Sequence, residues 1–200
     1  GYIHEHAEQP FFLYLALTIP HANNEARSQG MEVPELKAYA ELDWPEPQKG
    51  HGAMISRMDR DIGRLFTELE SLGIDNDTIV FFTSDNGPHK EGGNDPDFND
   101  SNGPLRGIKR AMYDGGIRVP MIVKWPGRIP SGLVNDTVWY FADFLPTAAD
   151  LVGAETPAGL DGVSIKPTLF GKYQDLSDRM LYWEFHERGF KQASRWGNWK

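Results

Sequence analysis

Asp85 and Asn86 stand side by side in the run Ser84-Asp85-Asn86-Gly87-Pro88-His89. An adjacent carboxylate and carboxamide offer hard oxygen ligands of the kind calcium or magnesium requires. Gly87 permits a tight turn after them. The same residues also make an ordinary Asx turn, so the run alone leaves both readings open. A second group follows. Arg106, Lys109 and Arg110 lie in Pro104-Leu105-Arg106-Gly107-Ile108-Lys109-Arg110, and Arg118 lies in Tyr113-Asp114-Gly115-Gly116-Ile117-Arg118-Val119-Pro120. Lysine grips a sulfate or phosphate as a point charge and arginine as a fork, while the glycines admit close backbone approach. A solvated basic loop is the plain alternative. Third, His21 follows Pro20, and His89 closes the Asp-Asn run. A histidine there can ligate metal, bond an anion or protonate a leaving group. His4, His6, His51 and His186 form no pattern, although His4 and His6 fall on a polar helix near the N-terminal end.

These groups sit in an acidic chain of 200 residues, with 20 basic against 29 acidic side chains and a formal net charge of -9. That balance excludes a basic nucleic-acid face. It also means that an anionic ligand must be captured by locally placed cations. Cysteine is absent, so the chain holds no disulfide framework, thiolate zinc site or cysteine nucleophile. No apolar run approaches the roughly 20 residues that span a membrane. The three glycosylation sequons at Asn76, Asn99 and Asn135 occur too readily by chance to carry an argument. The chain opens without an initiator Met and stops at Trp199-Lys200, so both ends read as cuts.

The positioning elements follow from periodicity. Phe11 to Leu17 is apolar and aromatic on both faces between Pro10 and Pro20, the pattern of a central strand covered on both sides. His21 would then lie at its C-terminal end. Residues 23–48 are polar and proline-punctuated, a long loop with at most one short helix. From Gly50, the residues Met54, Met58, Ile62, Leu65, Leu69 and Leu72 share one helical face, and Gly73 stops the helix. Thr78 to Thr83 is a second buried strand, so helix, short turn and strand form the αβ half of a parallel unit. Asp85 and Asn86 therefore leave the C-terminal end of a strand, where open α/β sheets bind ligands. Val119 to Lys124 is a third strand. Thr137 to Leu151 is an amphipathic helix that Pro146 bends or interrupts, closed by Gly153. Residues 179–184 and 193–200 read as paired strands.

The order of these motifs resembles the sulfatase family of the alkaline-phosphatase-like superfamily. The resemblance is carried by Pro10-Phe11-Phe12-Leu13-Tyr14-Leu15 leading to Pro20-His21, by Met58-Asp59-Arg60-Asp61-Ile62-Gly63-Arg64-Leu65, and by Thr78-Ile79-Val80-Phe81-Phe82-Thr83-Ser84-Asp85-Asn86-Gly87. It continues through Gly103-Pro104-Leu105-Arg106-Gly107-Ile108-Lys109, Gly115-Gly116-Ile117-Arg118-Val119-Pro120, Asp161-Gly162-Val163-Ser164 and Trp196-Gly197-Asn198-Trp199-Lys200. It implies an α/β sandwich with a mostly parallel central sheet flanked by helices, truncated at both ends. Residues 1–175 would belong to the C-terminal part of the catalytic domain, and residues 176–200 would begin a smaller C-terminal subdomain.

The resemblance further implies hydrolysis of sulfate esters. Asp85 and Asn86 resemble two calcium ligands, with magnesium as an alternative. Lys109 is similar to the lysine that holds the sulfate and helps the leaving group depart, and His21 to the histidine on the sulfate ester. His89 and Arg118 would contact the substrate, a small-molecule or glycan sulfate ester. A periplasmic or extracellular setting follows from the resemblance alone. The family's formylglycine arises from the Cys or Ser of a C/S-x-P-x-R motif, and no such motif occurs in this sequence. That nucleophile and the remaining calcium ligands would therefore lie upstream, and the chain alone should not turn over. Two rivals remain: a phosphoester or phosphonate hydrolase of the same superfamily, and a non-catalytic anion-binding fragment.

Overall fold

The structure is a computed structural model that describes residues 1–187 and 189–200. It contains five α-helices and four strands among those residues. Helix α1 spans Tyr2–His6, α2 Glu46–Ser71, α3 Asp114–Ile117, α4 Phe144–Val152 and α5 Lys166–Leu169. Strands β1 (Val80–Thr83) and β2 (Met121–Lys124) pair as one two-stranded sheet. Strands β3 (Met180–Phe185) and β4 (Lys191–Trp196) pair antiparallel, from Met180 opposite Trp196 to Phe185 opposite Lys191. The chain divides into two compact units, Gly1–Asp75 with Phe82–Met121, and Asn76–Phe81 with Ile122–Lys200.

The first unit is organised by α2, whose 26 residues extend about 39 Å at 1.5 Å per residue. Pro45 caps its start and Pro47 occupies its first turn, where a missing N–H has no intrahelical acceptor to lose. The helix thus begins at Glu46, inside the stretch expected to be loop. The expected face is the inward one: Met54 and Leu69 are buried, while Met58, Ile62, Leu65 and Leu72 are half-buried. Met54 packs with Ala22 and Met31, and Ile19 and Val33 complete the cluster. Gly73 adopts a left-handed φ of 71°, and the Ile74 N–H reaches back to the Leu69 carbonyl. This is the terminator that the sequence specified. On the outer face Asp61 meets Arg60 and Arg64 at 3.4 Å each; such exposed pairs contribute little.

One expectation fails in this unit. Phe11 to Leu17 is not a strand. Phe12 is 68% exposed and Tyr14 80% exposed. Aromatic and β-branched composition expresses a fit to a pleated, half-buried surface, and a strand exists only beside a partner. Among the described residues no strand runs alongside this segment.

The second unit is built around Asp143. Its carboxylate, fully buried, accepts hydrogen bonds from the backbone N–H of Tyr140 at 3.0 Å and of Val163 at 2.9 Å. It also takes both guanidinium NH2 groups of Arg179, at 2.6 and 3.1 Å. Thr147 donates to the Asp143 carbonyl and accepts from the Ile165 N–H. This hub explains a second correction. Residues 137–140 are not helical, a 3-10 turn covers Phe141–Asp143, and α4 starts only at Phe144. Asp143 ties down the Tyr140 backbone that the longer helix would have needed. Pro146 falls in the first turn of α4, where it interrupts no hydrogen bond. Gly153, at φ 72°, closes α4 as expected. The hairpin β3–β4 starts and ends a few residues from its expected bounds. Its inner positions are Leu181, Trp183 and Phe185.

Candidate anion and metal site

The loop after β1 is pinned at close quarters. The Gly87 N–H donates to the Gly116 carbonyl at 3.0 Å, and the Gly115 N–H to the Arg106 carbonyl at 2.8 Å. A Cβ on Gly87 would overlap the Gly115 carbonyl, and one on Gly115 would overlap the Gly107 carbonyl. Only glycine permits this approach of two backbones. Thr83 at the end of β1 donates its hydroxyl to the Pro120 carbonyl at 2.8 Å. The Lys109 N–H donates to the Pro88 carbonyl at 2.8 Å. These bonds hold the Asp85–His89 loop and the Lys109 segment side by side.

His21 and Lys109 meet here. The Lys109 ammonium lies 2.9 Å from His21 Nε2. His21 Nδ1 lies 2.7 Å from the Ala22 carbonyl, which can only accept, so Nδ1 carries the proton. Nε2 of the neutral ring then accepts from Lys109. The imidazole of His89 stacks on that of His21 with centroids 5.6 Å apart, and His51 of α2 meets His89 edge-on at 6.0 Å. His89 Nδ1 accepts from the Glu91 N–H at 3.1 Å, leaving Nε2–H to face the Pro20 carbonyl at 3.3 Å. Its own carbonyl accepts from Asn94 at 2.8 Å. Burial holds the pKa values of His51 and His89 below the usual histidine range; the neighbouring His89 adds to this for His51. For His89, the Lys109 ammonium and the neighbouring His21 ring act in the same direction, while Pro20 and Glu91 oppose them.

Glu91, which the motifs did not single out, joins the cations together. Its Oε2 accepts from Lys109 at 2.9 Å and its Oε1 from Arg110 at 2.6 Å. Oε2 is also 3.3 Å from His21 Nε2. Burial alone would raise the Glu91 pKa, but the hydrogen bonds and charges of Lys109 and Arg110 outweigh it and hold the carboxyl down to about 2. Arg110 reaches the carboxylate from a left-handed backbone, φ 73°, a conformation costing a non-glycine residue about 1 kcal/mol or more. Nothing in the local sequence marks Glu91 as different from the other surface carboxylates. His51 likewise escaped notice because its partner lies in a distant loop.

The other expected site residues are placed less centrally. Asp85 is exposed, and its carboxylate forms no hydrogen bond or ion pair among the described residues. The Asn86 side-chain N–H donates to the Gly87 carbonyl at 3.0 Å, and its backbone carbonyl accepts from Ser84. The Asn86 amide oxygen is thereby turned away from that internal bond. The pair supplies two hard oxygen donors, which fits part of a calcium or magnesium shell. No cluster of three or more metal-binding side chains occurs among the described residues. Arg118 lies exposed at the C-terminal cap of α3, where its backbone N–H is bonded to the Asp114 carbonyl. Arg106 stacks its guanidinium 3.8 Å over the Tyr113 ring, so it serves the loop rather than the histidines.

A lysine ammonium bonded to an imidazole beside an Asp-Asn turn is one arrangement for holding a tetrahedral oxyanion, and comparison with known proteins identifies its lineage. Residues 1–154 match the sulfatase family. The chain belongs to the sulfatase family. Among its relatives, mouse (Mus musculus) steryl-sulfatase is 36% identical over 152 residues, covering 74% of this chain and 24% of the relative. Dog (Canis lupus familiaris) N-acetylgalactosamine-6-sulfatase is 32% identical over 179 residues, covering 88% of this chain and 31% of the relative. A crystal structure of Ps i-CgsB in complex with a neocarrahexaose superposes with a TM-score of 0.80 at 29% identity, covering 94% of this chain and 40% of that one. This sulfatase chain thus has the alkaline-phosphatase-like α/β fold, and it spans well under half the length of the proteins it matches. No helix is long and apolar enough to cross a membrane among the described residues.

Proposed function

We propose that the protein hydrolyses sulfate esters, with Lys109 and His21 acting at the oxygen of the departing alcohol. The observation that carries this reading is the 2.9 Å contact between the Lys109 ammonium and His21 Nε2 in a chain of the sulfatase family. Lys109 has three N–H donors. One is directed at His21 and one at Glu91, and the third can address a sulfate or leaving-group oxygen. As the sulfur–oxygen bond breaks, negative charge grows on the alcohol oxygen. A fixed ammonium beside that oxygen stabilises the transition state more than the ground state. Proton transfer from Lys109 to the alkoxide would leave a neutral amine, still bonded to His21. His21, anchored at Nδ1 by Ala22, keeps the ammonium from swinging away.

Asp85 and Asn86 would hold part of the shell of a calcium or magnesium ion, and His89 and Arg118 would contact the substrate. When bound, the ion would neutralise sulfate oxygens as a Lewis acid, and a formylglycine upstream would supply the nucleophile. The substrate class is a small-molecule or glycan sulfate ester. Residues 1–175 would belong to the catalytic domain, and residues 176–200, which include the β3–β4 hairpin, would begin the smaller subdomain.

Comparing turnover of 4-nitrophenyl sulfate and 4-nitrophenyl phosphate by the full-length protein tests the reading. Preference for the sulfate is expected. A protein that cleaves the phosphate faster is a phosphohydrolase on this fold, and one that cleaves neither but binds sulfated sugars is a binding module.

A further inference from the structure

Lys109 ends a flexible four-carbon stem, and leaving-group stabilisation needs its ammonium fixed. His21 alone cannot fix it, because a single acceptor leaves the ammonium free to pivot. The groups facing Lys109 are His21, Glu91 and, more distantly, His89 and Arg110. Of these only Glu91 carries negative charge. Its carboxylate is itself locked. The Glu91 N–H is held by His89 Nδ1, and its carbonyl accepts from the Asn94 N–H at 3.0 Å. Arg110 binds Oε1 at 2.6 Å, while Oε2 faces Lys109 at 2.9 Å and lies 3.3 Å from His21.

We propose that Glu91 is a positioning residue of the anion site: a single carboxylate, clamped by Arg110, that holds Lys109 against His21. The proposal rests on the sulfate-ester reading, since it acts through Lys109. Glu91 performs two tasks that oppose each other. It orients the ammonium, which raises the rate of the chemical step. It also places negative charge beside an incoming anion, which weakens ground-state binding. The carboxylate offsets part of the cationic charge of Lys109 and Arg110; without it Lys109 would hold substrate and product sulfate more tightly but unaligned. Substituting Glu91 therefore separates kcat from KM in a way that a mere loss of packing does not.

The test uses the full-length protein and 4-nitrophenyl sulfate. Glu91→Gln should lower kcat by about tenfold to a hundredfold, the usual effect of removing a group that orients a reacting side chain, while KM stays level or falls. Arg110→Gln, which unclamps the carboxylate, should also lower kcat. Glu91→Asp, which keeps the charge on a shorter arm, should recover part of kcat. If Glu91→Gln fails to fold, the kcat loss in Arg110→Gln carries the test. Wild-type protein without sulfatase turnover removes the sulfate-ester reading and this proposal with it. Wild-type turnover with kcat unchanged in the folded variants overturns the positioning role alone.

Discussion

Lys109 Nζ and His21 Nε2 lie 2.9 Å apart although 88 positions separate the two residues in the chain. The contact depends on two local anchors. The Lys109 N–H is bonded to Pro88, and His21 Nδ1 is bonded to Ala22. Both anchors use backbone carbonyls, so the pair is aligned by main chain as well as by side chains.

If the proposed sulfatase activity holds, Lys109→Ala should cost the full-length protein about a hundredfold to a thousandfold in kcat, the usual loss when one transition-state donor is removed. The circular dichroism spectrum should stay unchanged, because Lys109 lies outside the apolar cluster of Ala22, Met31 and Met54. Near-normal turnover would take Lys109 out of the mechanism.

The buried Asp143–Arg179 pair sets the stability of the second unit. Asp143→Ala strands the Arg179 guanidinium and two backbone N–H donors, and it should destabilise the protein by about 3–5 kcal/mol. Urea unfolding would measure the loss, and hydrogen exchange should show it around Tyr140 and Val163. A change below about 1 kcal/mol would mean that water replaces the lost partners at little cost.

Glu91 makes stability depend on acid pH. Its carboxyl is held down to about 2 from a usual 4.5, so the unfolded chain binds a proton that the folded chain does not. The stabilising contribution is complete above about pH 4.5 and disappears as pH falls through about 2. The urea midpoint of wild type should therefore exceed that of Glu91→Gln at pH 6, with the gap closing across that window. A gap that stays constant through the window would show that Glu91 is not ionised by its partners.

His51 and His89 should titrate below 6.5, the ordinary histidine value, since burial disfavours both imidazolium forms. Ring-proton NMR from pH 4 to 8 would read both midpoints directly. Removing the neighbouring imidazole with His89→Phe should raise the His51 midpoint, and a fall would contradict the edge-on contact of the two rings.

The sequence by itself determined the elements that rest on local period and capping. The apolar stripe from Met54 to Leu72, the left-handed glycines at 73 and 153, and the β1 segment before Ser84 all formed as their residues required. These features depend on neighbours within one helical turn or one turn of chain, which is information a linear pattern contains. The order of motifs was enough to place the chain in its family, and it marked His21 and Lys109 before any contact was visible. Three things were decided only in three dimensions. Phe11 to Leu17 has strand composition but no strand beside it, and pairing is a property of two segments. Thr137 to Tyr140 has helical spacing but gives its backbone to Asp143, a long-range competitor that local periodicity does not register. Glu91 is one acidic residue among 29, and only the folded backbone, bringing Lys109, Arg110 and His21 around it and excluding water, turns an ordinary carboxylate into the group that holds the cations in place.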